Sequence, residues 1–417
     1  MGILYQKLFN MHISRFLKGF FVPVFLILIL VSSCKKENQE PSYSYFVSKE
    51  QKLTLSATYI NNFINSASGL YPEVNSLKQY VSNDVTIYKL IYKTTISGEE
   101  IYASGLICVP SVAGEYPVLS FQNGTNTLNS HAPSNNVLDP AYQMVELIAS
   151  MGFIVVMADY PGFGESAQVP HPYLIKEPTV QSLVDMLFTL REIAGIELQG
   201  IIPKNEYYLL GYSQGGWATL ALHKALELDY SGDFNLVGSA CGAGPYNIFT
   251  LFQGMAFAST YSMPVYLGYI VNAFSSYHEF TNPVTEIFND PYAARMGTLF
   301  TGNLSSGQIN GQLTTSIPGL LKSDFISGFI ADPKYASVRD ALNRNSITGW
   351  NTHKSLYLLH GASDTYVNPV ATENMYNEMI NSGTSTQILK KEIIPGLDHN
   401  GGVIPCMIKG LLYLKNL

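Results

Sequence analysis

The run Tyr207-Tyr208-Leu209-Leu210-Gly211-Tyr212-Ser213-Gln214-Gly215-Gly216, continued by WATLALHKALEL (217–228), decides how this chain folds. Its first half is a short apolar stretch of the kind buried on both faces of a parallel sheet. Its second half carries apolar residues at helical spacing. Between them lies G-x-S-x-G. A strand that turns into a helix within a residue or two holds the central serine in a strained conformation, with its hydroxyl standing above the sheet. Gly211 and Gly215 are small because a side chain at either would clash across that turn. The backbone N–H of Gln214 opens the helix, where the peptide dipoles favour a developing negative charge. Ser213 is therefore the candidate nucleophile, and Gln214 a candidate oxyanion donor.

The same alternation extends in both directions. Apolar runs bounded by Gly, Pro or Asn recur as YPVLSFQ (116–122), FIVVMADY (153–160), LVGSACG (236–242), SLYLLHG (355–361) and TQILKKEIIP (386–395). Helix-period segments separate them, at 141–151, 179–195, 216–228 and 371–383. Strand–helix alternation of this kind predicts an α/β fold with a mostly parallel central sheet. Ahead of it, VTIYKLIYKTT (85–95) and EIYASGLICVP (100–110) flank Ile96-Ser97-Gly98-Glu99, which predicts an N-terminal antiparallel hairpin. Residues 59–80 carry a loose helical pattern. One stretch breaks the rhythm. Residues 245–350, rich in Phe, Tyr, Met and Ala, lie between two strands that a dozen residues could connect. They predict an inserted helical cap or lid, dividing the core into 59–244 and 351–417.

A serine hydroxyl needs a base at neutral pH, and the base needs an orienting acid. His399 stands in a glycine-rich loop, Pro395-Gly396-Leu397-Asp398-His399-Asn400-Gly401-Gly402, between the last strand and the last helix. Asp364 stands in HGASDTYV (360–367), at the end of a strand. Asp398 is the competing acid, but as the immediate neighbour of His399 it points elsewhere in extended or turn geometry. His360 reads as a cap on the strand end. The second oxyanion donor is expected after YPVLSFQ, in Asn123-Gly124-Thr125, from the N–H of Gly124 or of Thr125.

Composition narrows the partners. The chain has 417 residues, 47% hydrophobic and 13% charged, with 24 Lys+Arg against 31 Asp+Glu. An acidic surface does not suit nucleic acid, whose phosphates call for a basic one. Four cysteines without a C-x-x-C pair suit neither a disulfide scaffold nor a zinc ribbon. The N-terminus carries Lys7, Arg15 and Lys18, then GFFVPVFLILILV (19–31), then Ser32-Ser33-Cys34. The apolar run has a signal peptide's length and is short for a membrane span. Small residues before a cysteine resemble the lipobox of bacterial lipoproteins. That resemblance implies a signal peptide at 1–33, lipidation of Cys34 and a tether over 34–58. The alternative is an uncleaved N-terminal anchor. Either way the remainder lies outside the cytoplasm, on a bacterial membrane and by expectation at the outer membrane or cell surface. Removing 1–33 leaves 21 basic residues against 31 acidic ones.

Taken together, FQNGT, HAPS (131–134), ADYPGFGES (158–166), HPY (171–173), GYSQGG and HGASDTYV resemble the α/β-hydrolases over residues 85–417, and within them the secretory lipase family. HGxxDxxV resembles the acid loop of that superfamily. FQNGT resembles its QHGT-type oxyanion loop, with Asn123 where His is common. The chain order Ser213, Asp364, His399 is the order that fold requires. In such enzymes the DYxGxGxS segment is structural. The resemblance implies a serine carboxylic-ester hydrolase acting on a small-molecule or lipid ester, with no metal or organic cofactor. A serine peptidase of the prolyl-oligopeptidase type and a non-catalytic surface binding protein on the same scaffold are the alternatives. The insertion's Met, Phe and Tyr side chains would line an apolar acyl pocket or simply pack the cap.

Overall fold

The computed structural model describes residues 42–417. The signal-peptide and lipidation readings at residues 1–33 and Cys34 lie outside the described residues. Nine strands form one sheet among the described residues. They are β1 (Phe46–Leu55), β2 (Val85–Ile96), β3 (Glu99–Pro110), β4 (Gly114–Gln122), β5 (Ile154–Ala158), β6 (Ile201–Tyr212), β7 (Leu236–Gly242), β8 (Ser355–Gly361) and β9 (Leu389–Ile394). Their order is β1-β2-β3-β5-β4-β6-β7-β8-β9. The pairs β1–β2, β2–β3 and β3–β5 are antiparallel, and every pair from β5–β4 to β8–β9 is parallel. The fold is that of an α/β-hydrolase, with the hairpin at the N-terminal side, as the alternation of runs predicts.

Strand β5, IVVMA, is buried at every position because helices cover both faces of the sheet. One face carries α3 (Lys176–Ile193) and α4 (Gln214–Leu228), whose Leu183, Leu187, Trp217 and Leu220 lie in one apolar cluster. The other face carries α1 (Ala57–Ala67), α2 (Pro140–Glu146) and α14 (Val403–Lys415), with Ile60, Ile64, Val145 and Leu411 in a second. Each fully buried Leu, Ile or Val side chain contributes roughly 1.5–3 kcal/mol. This two-sided burial fixes the sheet against which the site is built.

Strand β1 corrects the sequence reading. The tether placed at 34–58 overlaps a ten-residue strand, Phe46–Leu55, hydrogen-bonded to β2. Its sequence, FVSKEQKLTL, is polar because β1 is an edge strand; charged residues there also discourage pairing with other chains. The Glu192 carboxylate of α3 anchors its start, accepting the N–H groups of Ser44, Tyr45 and Phe46 at 2.7, 2.8 and 2.9 Å.

Between β7 and β8 the chain forms eight helices, α5 to α12 (Ile248–Ala256, Pro264–Ser276, Val284–Ile287, Tyr292–Leu299, Ser306–Asn310, Ile317–Leu320, Ser323–Gly328 and Ala336–Asn345). The insertion's Phe252, Phe274, Phe288 and Phe325 are fully buried in the same cluster as Trp217, so the insertion shares the core of the sheet. The last helix on that side, α13 (Val370–Asn381), follows the Asp364 loop. No helix among the described residues is long and apolar enough to cross a membrane.

Candidate active site

Strand β6 ends at Tyr212 and α4 begins at Gln214, leaving Ser213 alone in the turn. Its backbone sits at φ 59°, ψ −123°, a region that a non-glycine residue occupies only when its surroundings over-determine it. The surroundings do so. A Cβ on Gly211 would overlap the Gly215 carbonyl, and a Cβ on Gly215 would overlap the Gln122 carbonyl at the end of β4. The Ser213 N–H is held by the Gly242 carbonyl at 2.8 Å, at the end of β7. Neighbouring strand ends therefore fix the turn.

The Ser213 hydroxyl lies 2.9 Å from His399 Nε2, and His399 Nδ1 lies 2.6 Å from Asp364 Oδ2. The structure thus brings together three side chains from three separate loops. The His399 loop is braced by the Tyr212 hydroxyl, which donates to the His399 carbonyl at 2.7 Å. Asp364 Oδ1 accepts the N–H groups of Tyr366 and Val367 at 2.8 and 2.9 Å. Burial alone would raise the Asp364 pKa. Hydrogen bonds from His360 and His399, with the attraction of the His399 imidazole, outweigh it and hold the carboxyl well below the usual carboxylate range. Asp398 is exposed and accepts the Gly401 N–H at 2.7 Å, so it braces the turn, and His399 Nδ1 is taken by Asp364. His360 is more than a strand cap: its Nε2 reaches Asp364 Oδ2 at 3.1 Å.

The loop after β4 also borders the site. Gly124 and Thr125 share one cavity wall with Ser213 and His399. The Asn123 carbonyl accepts the Tyr160 hydroxyl at 3.1 Å, and the Thr125 hydroxyl meets that of Tyr173 at 3.0 Å. The insertion holds the same loop. Tyr269 of α6 donates to the Asn126 carbonyl at 3.2 Å, and Asn129 N–H donates to the Gly302 carbonyl at 2.8 Å.

Gln214 is positioned by a residue whose role sequence reasoning missed. His171, from HPY, is 3% exposed. Its Nδ1 lies 2.8 Å from the Pro161 carbonyl and its Nε2 lies 2.9 Å from Gln214 Nε2. A carbonyl only accepts, so Nδ1 carries the proton and Nε2 accepts from the Gln214 amide. Burial pushes the His171 pKa down to about 4, against the raising effect of both hydrogen bonds, and keeps the ring neutral. The HPY triplet is the only local signal; the partner lies 43 positions away. The DYxGxGxS segment is structural. Asp159 Oδ2 accepts from Ser104 at 2.5 Å and from Ser134 at 2.6 Å, which ties HAPS to β3.

One cavity opens on the serine, and a second lies beyond a narrow neck. The first, about 360 Å³, runs from Ser213 and His399 into the sheet-facing core past Phe121, Val145, Ile148 and Ile408. The second, about 420 Å³, lies between α5 and the Asp364 loop, with Leu251, Met255 and Tyr261 beside polar Asn247, Asn374 and Glu378. A narrow neck lined by Ser213, His399, Tyr261, Tyr266 and Tyr366 shares residues with both. The cavity at the serine is therefore walled mainly by the core, with Tyr266 from the insertion, while Phe252, Phe325 and Phe329 of the insertion pack on one another and Leu251, Met255 and Tyr261 line the second cavity. Cys108, Cys241 and Cys406 are buried free thiols, and burial pushes each thiol pKa up. No cluster of three or more His, Cys, Asp or Glu side chains is placed to hold a metal ion among the described residues.

A model of the secretory lipase family matches residues 137–396, more than half of the chain. The chain belongs to the secretory lipase family. Membership makes this secretory lipase homologue an ester hydrolase. No curated protein matches its sequence. Solved structures carry the same fold. A protein from Legionella pneumophila is 23% identical, with TM-score 0.79 over 89% of this chain and 98% of its own. The rice cell wall degrading esterase LipA from Xanthomonas oryzae is 22% identical, with TM-score 0.75 over 88% and 96%. Candida antarctica lipase A in its closed state is 16% identical, with TM-score 0.63 over 89% and 81%. At these identities the likeness to the solved structures establishes the fold of this family member.

Proposed function

We propose that the chain is an extracytoplasmic serine esterase or lipase that cleaves acyl esters through an acyl-enzyme on Ser213. The observation that carries this reading is the unbroken chain from Ser213 Oγ through His399 to Asp364, at 2.9 and 2.6 Å, opening on an apolar cavity and on the neck beside it. His399 takes the serine proton as Ser213 attacks the ester carbonyl. The Gln214 N–H and a backbone N–H of Gly124 or Thr125 stabilise the tetrahedral oxyanion. His399 then protonates the departing alcohol, and later activates the water that releases the acid. Asp364 keeps the imidazole in the required tautomer and stabilises its charged form.

The apolar cavity suits the acyl chain, and the cavity bordered by Asn247, Asn374 and Glu378 suits the alcohol. Residues 245–350 act as the cap over this site. The family's secretory character supports placement outside the cytoplasm. Within that placement, residues 1–33 act as a signal peptide and Cys34 carries the lipid; two or three acyl chains suffice for stable anchoring.

The test is the full chain in detergent beside Ser213→Ala, assayed on p-nitrophenyl esters from acetyl to palmitoyl. Turnover is expected in the native protein and absent in a folded Ser213→Ala protein. Ester hydrolysis surviving in the mutant sinks the reading. Loss of membrane partitioning in Cys34→Ala tests the anchor; unchanged partitioning and labelling by palmitate rule it out.

A further inference from the structure

We propose that His360 is a positioning residue of this site, sharing carboxylate oxygen Asp364 Oδ2 with His399 and thereby setting how strongly the acid holds the base. The inference rests on the catalytic-serine reading above. His360 is the penultimate residue of β8 and is fully buried. Its Nε2 lies 3.1 Å from Asp364 Oδ2 and 2.9 Å from the Val367 carbonyl, and its Nδ1 lies 2.8 Å from the Thr372 hydroxyl. A carbonyl oxygen can only accept, so Nε2 carries a proton and donates to both oxygens. In the neutral ring Nδ1 accepts from Thr372, at the first turn of α13. The imidazole is thus fixed at both nitrogens.

Two consequences follow for Asp364. Its carboxylate receives four donors, two backbone N–H groups on Oδ1 and two imidazoles on Oδ2, so it cannot rotate without breaking at least two of them. The His360 proton also withdraws electron density from the oxygen that His399 uses. Without it, Oδ2 serves His399 alone and stabilises the charged imidazole more strongly. Among the described residues, the other ionisable groups around the pair are Tyr212 of β6, Cys406 of α14, Tyr246, Tyr261 and Tyr266 of the insertion, and Tyr366 and Asp398 of the flanking loops. Burial pushes the Tyr212, Cys406, Tyr261 and Tyr266 pKa values up, so these groups stay uncharged over the working range.

The experiment is the pH dependence of kcat/KM from pH 5 to 9, on a soluble ester, for the full chain and two His360 variants. His360→Leu removes the donor. His360→Gln keeps one, since Gln Nε2 and His Nε2 are the same number of bonds from Cβ. In His360→Leu the acid limb moves to higher pH by about one unit, the scale set by one charge-assisted hydrogen bond. Its kcat falls at least tenfold on the plateau and KM changes little. His360→Gln returns the limb to within about 0.3 unit of the native profile. A His360→Leu profile that superimposes on the native one, with only the unfolding midpoint lowered, overturns the proposal and leaves His360 a packing residue. If His360→Leu does not fold, Thr372→Val decides: freeing Nδ1 shifts the limb in the same direction, and an unshifted limb overturns the proposal. Ser213→Ala run alongside separates the two levels. Turnover surviving there removes the serine mechanism itself; an inactive Ser213→Ala with an unshifted His360→Leu limb removes only the role of His360.

Discussion

Replacing Asp364 with Asn changes one oxygen into an NH2 group and almost nothing in volume. The four donors that converge on the carboxylate make the effect calculable. If the amide oxygen stays on the Tyr366 and Val367 N–H groups, at 2.8 and 2.9 Å, the NH2 faces His399 Nδ1 and His360 Nε2. His399 can then accept that NH2 only by moving its own proton to Nε2, where it can no longer take the serine proton. If the amide flips, two backbone N–H groups face an NH2 instead. The flipped form leaves two buried donors without an acceptor, at roughly 1–3 kcal/mol each, whereas in the other form the His360 Nε2 proton keeps the Val367 carbonyl and His399 changes tautomer, so stability falls by at most roughly 2–6 kcal/mol. Activity falls further. The wrong tautomer lowers kcat by about 10⁴ in the precedent for such triads, equivalent to about 5 kcal/mol of activation free energy. The assay is kcat on a p-nitrophenyl ester near pH 8, together with urea unfolding at pH 7 and at pH 3. The Asp364 pKa is depressed on folding, so its stabilising contribution is fully present above about pH 4 and is lost as pH falls further. The Asn variant lacks that acid-sensitive component. Asp398→Asn serves as the control, because its side chain is exposed and engages only the loop N–H of Gly401 among the described hydrogen bonds. A kcat within tenfold of native for Asp364→Asn, or a larger loss for Asp398→Asn, refutes the assignment of the acid.

Two further expectations test the turn and its support. Gly215→Ala forces a methyl group onto the Gln122 carbonyl, a backbone atom that cannot swing aside, and is expected to destabilise the fold by about 3 kcal/mol or more; a denaturation midpoint equal to native contradicts the packing described for the turn. His171→Leu leaves the Gln214 amide without its acceptor and loosens the residue proposed to supply an oxyanion N–H. Outright removal of such a donor lowers kcat by about 10²–10³, so a loss of about tenfold to a hundredfold with little change in KM is expected; a change in KM alone means that His171 acts on substrate binding instead.

The places where sequence reasoning fell short have a common cause. Strand β1 reads as a tether because FVSKEQKLTL buries only part of one face; its anchor, Glu192, is 146 positions from Phe46. His171 and His360 each sit in a recognised motif, yet their roles depend on Gln214 and on an oxygen already committed to His399. The apolar cavity beside Ser213 draws its walls from β4, α2 and α14, elements that are ordinary amphipathic or buried segments when read singly.

The sequence by itself determined the alternation of strands and helices, the turn at Ser213 and the order Ser213, Asp364, His399. Each of these is written in residues close together along the chain: period-two or continuous apolar runs, helical spacing, and glycines where a backbone must approach another. Only the tertiary structure decided which carboxylate meets His399, which histidine orients Gln214 and where an ester could lie. Those depend on strand order. The crossing from β7 to β8 and on to β9 brings residues 213, 364 and 399 to one edge of the sheet, and a hydrogen bond shorter than 3 Å between side chains 186 positions apart has no local signature.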